Sequence, residues 1–291
     1  MSNGAKLPIL QAAQYSWRFA AASWMPVLPA YLIKALIMGV TFSLLISADP
    51  NHSGLGLAGL ILWFVAAMSC MAMTLRLAIR GSFDGVLGLQ LGNDERRLMM
   101  AHAMYAGMMF MVFIIAAFLA TLVVLVFVTS QVVDTAAIEN DPEAMAQAAE
   151  ASLQTPLGQF TSVISTALVA LPVLWLSARL VTFPAATIAR NKIMIFETWK
   201  WTKGVALPII GAIIVAIGPF WLVYQFGQWL ATAIFDLPWM MFWNEETILS
   251  VTRLQAFIIG GMAGLFSIPM SLVSAGLSAF MYRGFDPDLS D

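Results

Sequence analysis

A lysine inside an apolar run, two histidines, one cysteine and a scatter of serines are the residues from which this chain could build chemistry. Lys34 is the one charge clearly within an apolar stretch, about nine residues from the end of that stretch nearer the N-terminus. An ammonium so placed either snorkels to the membrane surface or contacts a substrate or lipid headgroup. His52 and His102 fall in different places relative to their neighbouring stretches, one in a loop and one near a start, so paired haem ligation does not fit them. With Cys70 alone beside them, they supply too few ligands for zinc. Ser165, Ser177, Ser267, Ser271 and Ser274 have no base and acid grouped with them and read as helix-packing residues. Neither a G-x-x-x-x-G-K-S/T loop nor a nucleophile elbow occurs. The pattern predicts a protein that is not an enzyme and holds no metal or cofactor.

These residues sit among six long apolar stretches, at about 26–47, 55–75, 98–128, 160–178, 205–235 and 254–282. Each is long enough to cross a hydrocarbon layer of about 30 Å, which needs roughly 20 residues of helix. Sixty per cent of the 291 residues are hydrophobic and only 10% are charged, beyond what a soluble core requires. The expected fold is therefore all-α, a polytopic membrane domain of six helices filling the chain, with short amphipathic inner segments and one external helix. No Asp or Glu lies well inside a stretch, which argues against carboxylate-coupled proton or sodium transport.

Charge sets the expected orientation, because Lys and Arg are retained on the cytoplasmic side. Thirteen of the fourteen cations fall on one side, counting Lys34 as snorkelling there, with seven acids, a net charge of +6. The other side has Arg253 and nine acids, a net charge of −8. Both termini are expected in the cytoplasm, and no cleavable signal peptide is evident.

Between the stretches, Asp141, Pro142 and Glu143 open an Ala-rich run through Ser152 that reads as an external helix. Trp239 and Trp243 lie in a Met- and acid-containing outer loop, as interface anchors or as a docking patch for a partner. Gly81, Gly85, Gly88 and Gly92 either share a close-packed helical face or belong to an irregular loop. Asp94 and Glu95, beside four arginines, point to ion pairing instead of metal binding. Trp17, Arg18 and Phe19 match Trp199, Lys200 and Trp201 in a faint repeat that suits interfacial helices.

Candidate binding residues follow from these features. Lys34, Arg179, Arg190, Lys192, Lys200 and Lys203 are candidates for anionic lipid, each surface cation contributing on the order of 1 kcal/mol. Gly260 and Gly264 form a GxxxG pair expected to pack a helix of this chain or of a partner. Pro172, Pro219 and Pro269 interrupt three stretches, and Tyr224, Gln225 and Gln228 beyond Pro219 are the candidate lining of a cavity.

The stretch SARLVTFPAATIARNKIMIFETWKWTKG, with Arg179, Pro184, Trp199, Thr202, Lys203 and Gly204, and the closing SAGLSAFMYRGF, with Tyr282 and Arg283, resemble a bacterial six-helix inner-membrane family. Related membrane domains are fused to glycerophosphodiester phosphodiesterases, whose catalytic domain has no counterpart in this chain. The resemblance covers about 45 residues; it implies a six-helix fold in the bacterial inner membrane and carries over no catalytic residue. The expectation is a non-enzymatic accessory, scaffold or assembly subunit of a membrane complex, with bound anionic lipid and no nucleic-acid partner. The alternative is a small-molecule or lipid permease with kinked helices.

Overall fold

The computed structural model describes residues 8–46, 53–83, 85–131, 147, 150–238 and 250–289, and among these the secondary structure is helical throughout. Six segments are long and apolar enough to cross a membrane. They are built from α1 (Ile9–Leu45), α2 (Ser53–Arg80), α3 (Asn93–Gln131), α4 (Pro156–Arg179), α7 (Ala206–Ala233) and the pair α8 (Arg253–Phe266) and α9 (Ile268–Phe285). Two short helices, α5 (Phe183–Arg190) and α6 (Ile195–Trp201), lie between α4 and α7. The chain divides into two compact units, Met1–His102 with Arg179–Asp291, and Ala103–Ala178.

In the first unit α1 is the central helix. It runs 37 residues straight through Pro26 and Pro29, whereas the sequence suggested a start at Pro26. A proline inside a membrane helix is tolerated where neighbouring groups take up the freed backbone. The interfacial segment expected around Trp17 is therefore part of this continuous helix, where the indole Nε1 donates to Ala216 O at 2.9 Å.

Close approach to α1 explains the glycines of the last span. A Cβ on Gly264 would stand 2.6 Å from Ala35 Cα, and one on Gly260 would stand 2.7 Å from Phe42 Cβ. The GxxxG pair thus packs inside the chain. Small residues let backbones meet in lipid, where leaving the acyl tails gains apolar side chains little.

Boundaries moved outward from the apolar stretches because helices continue into ion-paired ends. α2 runs past Arg76 to Arg80, and α3 starts at Asn93 with Asp94 and Glu95 in its first turn, where acids favour the positive helix end. α8 begins with a capping box in which Thr252 and Gln255 bond reciprocally. Pro172 and Pro219 sit inside unbroken helices; near Pro269, α8 passes into α9 at Ser267, whose backbone stays helical and hydrogen-bonded to Ala263 O and Ser271 N. Gly81, Gly85 and Gly88 adopt positive φ, so the irregular-loop reading holds and the helical-stripe reading does not.

In the second unit the remaining parts of α3 and α4 are joined by a hydrogen bond of 3.1 Å between the Tyr105 and Ser177 hydroxyls. The most apolar window of α3 is only 11% buried. Residues 150–154 are helical, but the rest of the expected external helix lies outside the described residues. Trp239 and Trp243 lie outside them too.

Gly264→Val places a branched side chain against Ala35. It should destabilise by about 1–3 kcal/mol, as overpacking does, with a clearly lower unfolding temperature in detergent. Gly261→Val, at a position with open space around its Cβ, is the control. Equal unfolding temperatures for the two variants would contradict the α1–α8 contact.

Candidate functional site

Two regions of the first unit gather polar and charged side chains. One is the arginine-rich end, where α2, α3, α5 and α9 meet. Arg76 is 1% exposed, and its Nη1 donates to Glu95 Oε1 at 2.6 Å while Nη2 donates to Gly88 O at 3.2 Å. Gln90, with its amide assigned so that the oxygen faces the guanidinium, accepts at 3.1 and 3.3 Å. The second oxygen of Glu95 accepts from Gly92 N at 2.9 Å. Gly88 makes this possible, since its φ is +75° and a Cβ there would overlap Met73 Sδ at 2.4 Å.

Arg80 extends the network from Asp94, at 2.9 Å, to Ile188 O at 2.8 Å and Asn191 Oδ1 at 3.3 Å. Asn191 is the left-handed residue ending α5. Arg283 donates to Ala78 O and to the Tyr15 hydroxyl, each at 2.7 Å. Arg190 pairs with Asp286 and, at 2.6 Å, with Asp288. Burial would raise the Asp286 carboxyl, but the Arg190 guanidinium, the Tyr282 hydroxyl and the Asp288 N–H outweigh it and hold it below its ordinary value.

Three of the residues that carry the resemblance, Arg179, Trp199 and Thr202, are hydrogen-bonded together. Arg179 Nη2 donates to Trp199 O at 2.6 Å and stacks its guanidinium 4.7 Å from the Trp199 ring. Thr202 Oγ1 donates to Arg179 O at 2.7 Å. So of the six cations proposed for lipid, Arg179 and Arg190 spend hydrogen bonds within the chain, and Lys192 lies 3.8 Å from Glu197 at the surface. Lys200 and Lys203 are exposed, as is Arg18.

Lys34 occupies the second region, and it does not snorkel. It is 7% exposed, its Nζ donates to Ser267 Oγ at 3.2 Å and lies 4.7 Å from the Tyr31 ring centroid. The expectation that Lys34 joins the surface cations therefore does not hold: its ammonium is buried against Ser267. A cavity of about 290 Å³ opens beside it, between α1, α2 and α9. Ser271 and Ser274 continue its polar side, Trp63 crosses it from α2, and Met68 and Met71 make an apolar wall. The Trp63 indole Nε1 has no hydrogen-bond partner among the described residues. The Tyr31 hydroxyl is tied to Thr74 Oγ1 at 3.1 Å.

Tyr224, Gln225 and Gln228 are half-buried and line neither this cavity nor the apolar groove of about 320 Å³ along Leu36 and Val40. Gln228 Nε2 is buried without a partner. Sequence reading passed over Tyr31 and Trp63 as members of a cavity and took its serines as packing residues. The available signals were the i, i+3 spacing of Tyr31 and Lys34 and the i, i+4, i+7 spacing of Ser267, Ser271 and Ser274, which place each set on one helical face. No group of three potential metal ligands occurs among the described residues.

Comparison with protein-family models, with curated proteins and with solved structures finds no match for this chain.

Removing Glu95 strands a buried guanidinium, so Glu95→Ala should cost about 3–5 kcal/mol. The double variant Arg76→Met/Glu95→Leu should recover most of that in detergent unfolding. A single variant no worse than the double would remove the pair from its structural role. Asp286, with its native pKa lowered, adds stability above its unfolded value of about 3.9 and loses it as pH falls through the lower native value. The stability gap between parent and Asp286→Asn should accordingly shrink below about pH 4; a gap independent of pH would contradict the assignment.

Proposed function

We propose that this chain is a non-enzymatic, multi-pass protein of a bacterial inner membrane, with both termini in the cytoplasm, acting as an accessory or assembly subunit of a membrane complex. The carrying observation is α3. Its apolar residues occupy every side of the helix, and Phe110, Phe113, Ile114 and Phe118 remain exposed. A helix apolar all round needs a covering on all sides, and aromatic side chains are favoured contacts at protein interfaces. The charge asymmetry of the loops supports the orientation, and the resemblance around Arg179 and Trp199 supports the bacterial six-helix setting. Exposed Arg18, Lys200 and Lys203 fit an anionic leaflet surface, as proposed for the two lysines from sequence.

A second reading, a small-molecule or lipid permease, draws on the cavity at Lys34. That cavity adjoins Ser267 and Pro269, where α8 passes into α9, and proline-interrupted helices frame substrate sites in transporters.

Photo-crosslinking separates the two readings. A crosslinking residue at Phe113 or Phe118, in the native membrane, should give one discrete protein adduct identifiable by mass spectrometry. Adducts to lipid alone at both positions would reject the accessory-subunit reading. A fluorescent reporter fused to the C-terminus that matures only outside the cytoplasm would reject the orientation.

A further inference from the structure

We propose that the cavity beside Lys34 binds the anionic group of an acyl-bearing amphiphile drawn from the bilayer, a carboxylate or a phosphate. This goes beyond the accessory-subunit reading and does not depend on it. Lys34 is more than nine-tenths buried, yet among the described residues Ser267 is its only hydrogen-bond acceptor, and an ammonium offers three donors. No carboxylate is among the described residues that line the cavity. A buried charge is costly unless it is paired and hydrogen-bonded, and among the described residues the buried guanidinium groups of Arg76 and Arg179 each donate to carboxylate or carbonyl oxygens. An anion entering from outside would complete the set at Lys34.

Other groups around the space favour the same ligand. Trp63 lines the cavity, and its indole N–H has no hydrogen-bond partner among the described residues. The Ser271 and Ser274 side chains lie along the cavity on the same helix as the Ser267 cap. Met68, Met71 and Met270 also line it, flexible apolar side chains that adapt to an irregular hydrocarbon surface. A cation and hydroxyls together with methionines match a molecule with an anionic head and an apolar body. About 290 Å³ is more than a bare carboxylate or phosphate fills, so part of the body fits as well.

Met71 lies five residues from Arg76, about 7.5 Å along α2, so the cavity adjoins the arginine-rich end. Lys34 supplies the charge that compensates the acid held there.

The test uses the full chain purified in detergent, stripped of lipid, then offered oleate, phosphatidic acid or phosphatidylcholine and examined by native mass spectrometry. One acidic molecule per chain should be retained in preference to phosphatidylcholine. Lys34→Met, which keeps the stem and removes the charge, should weaken that retention by about ten- to a hundredfold, the loss expected for a charge-assisted hydrogen bond. Ser274→Phe fills the cavity without touching Lys34 and should also abolish retention, so the result stands even if Lys34→Met fails to fold. Preference for oleate identifies a carboxylate, and preference for phosphatidic acid a phosphate. Retention of acid unchanged in either variant, loss only in Arg18→Gln/Lys200→Gln/Lys203→Gln, or equal retention of phosphatidylcholine would each overturn the proposal.

Discussion

The cost of a charge without a partner in a medium that cannot solvate it governs this fold. At the arginine-rich end the solution is internal. Arg76 is almost completely buried, and it is tolerated because Glu95, Gly88 O and Gln90 surround it with acceptors. That arrangement dictates the loop between α2 and α3. The chain must turn back sharply enough for Glu95 to face Arg76 19 residues earlier, and the left-handed glycines at 81, 85 and 88 provide the turn. Arg80 then carries the same network across to α5, so the short helix is fixed by a carbonyl at its end as well as by its apolar face. Ala185, Ala186 and Ile188 on that face join Ala72, Leu75, Leu98, Ala275 and Tyr282 in one buried cluster.

The packing of the first unit is the second consequence of a lipid environment. Apolar burial drives helices together weakly in hydrocarbon, and close backbone approach takes over. Gly264 and Gly260 against Ala35 and Phe42, Gly276 against Ser16, and Gly59 against Thr41 put three helices within van der Waals contact of α1. Thr41 adds a hydrogen bond to Gly59 O at 3.0 Å, a polar link between two membrane helices made possible by the absent side chain. The prolines of α1 fit this picture, because a helix enclosed on several sides is held straight by its neighbours even where its own ladder is interrupted.

The apolar stretches made the six spans legible, since length and hydropathy are local properties of the chain. The ends were less so. Hydropathy stops at the first arginine, but the helix does not, because Arg76 and Arg80 meet their acids only after α3 folds alongside. Pro26 read as a start for a similar reason: the local rule against proline in a helix gives way to the packing of α1, which depends on residues more than 200 positions away. The sequence revealed that Lys34 was unusual and left open where its ammonium points. That direction rests on Ser267 in the last span, remote in sequence. Serines 267, 271 and 274 carried a spacing signal, but small hydroxyl residues at helical intervals serve packing and cavities equally well, so the signal had no unique meaning.

Arg76 and Lys34 are therefore the same problem with different answers. Both are cations placed among apolar helices, and each is nearly inaccessible. The guanidinium has fixed, planar donors that a folded loop can meet with fixed acceptors, and the chain provides them for both Nη atoms. The ammonium has a compact charge on a flexible stem, and the chain gives it one hydroxyl, an aromatic ring and open space. A site meant only to hold the fold would close around such a charge, as the loop closes around Arg76. Space left beside Lys34 is where the proposed anion would complete the electrostatics of this unit.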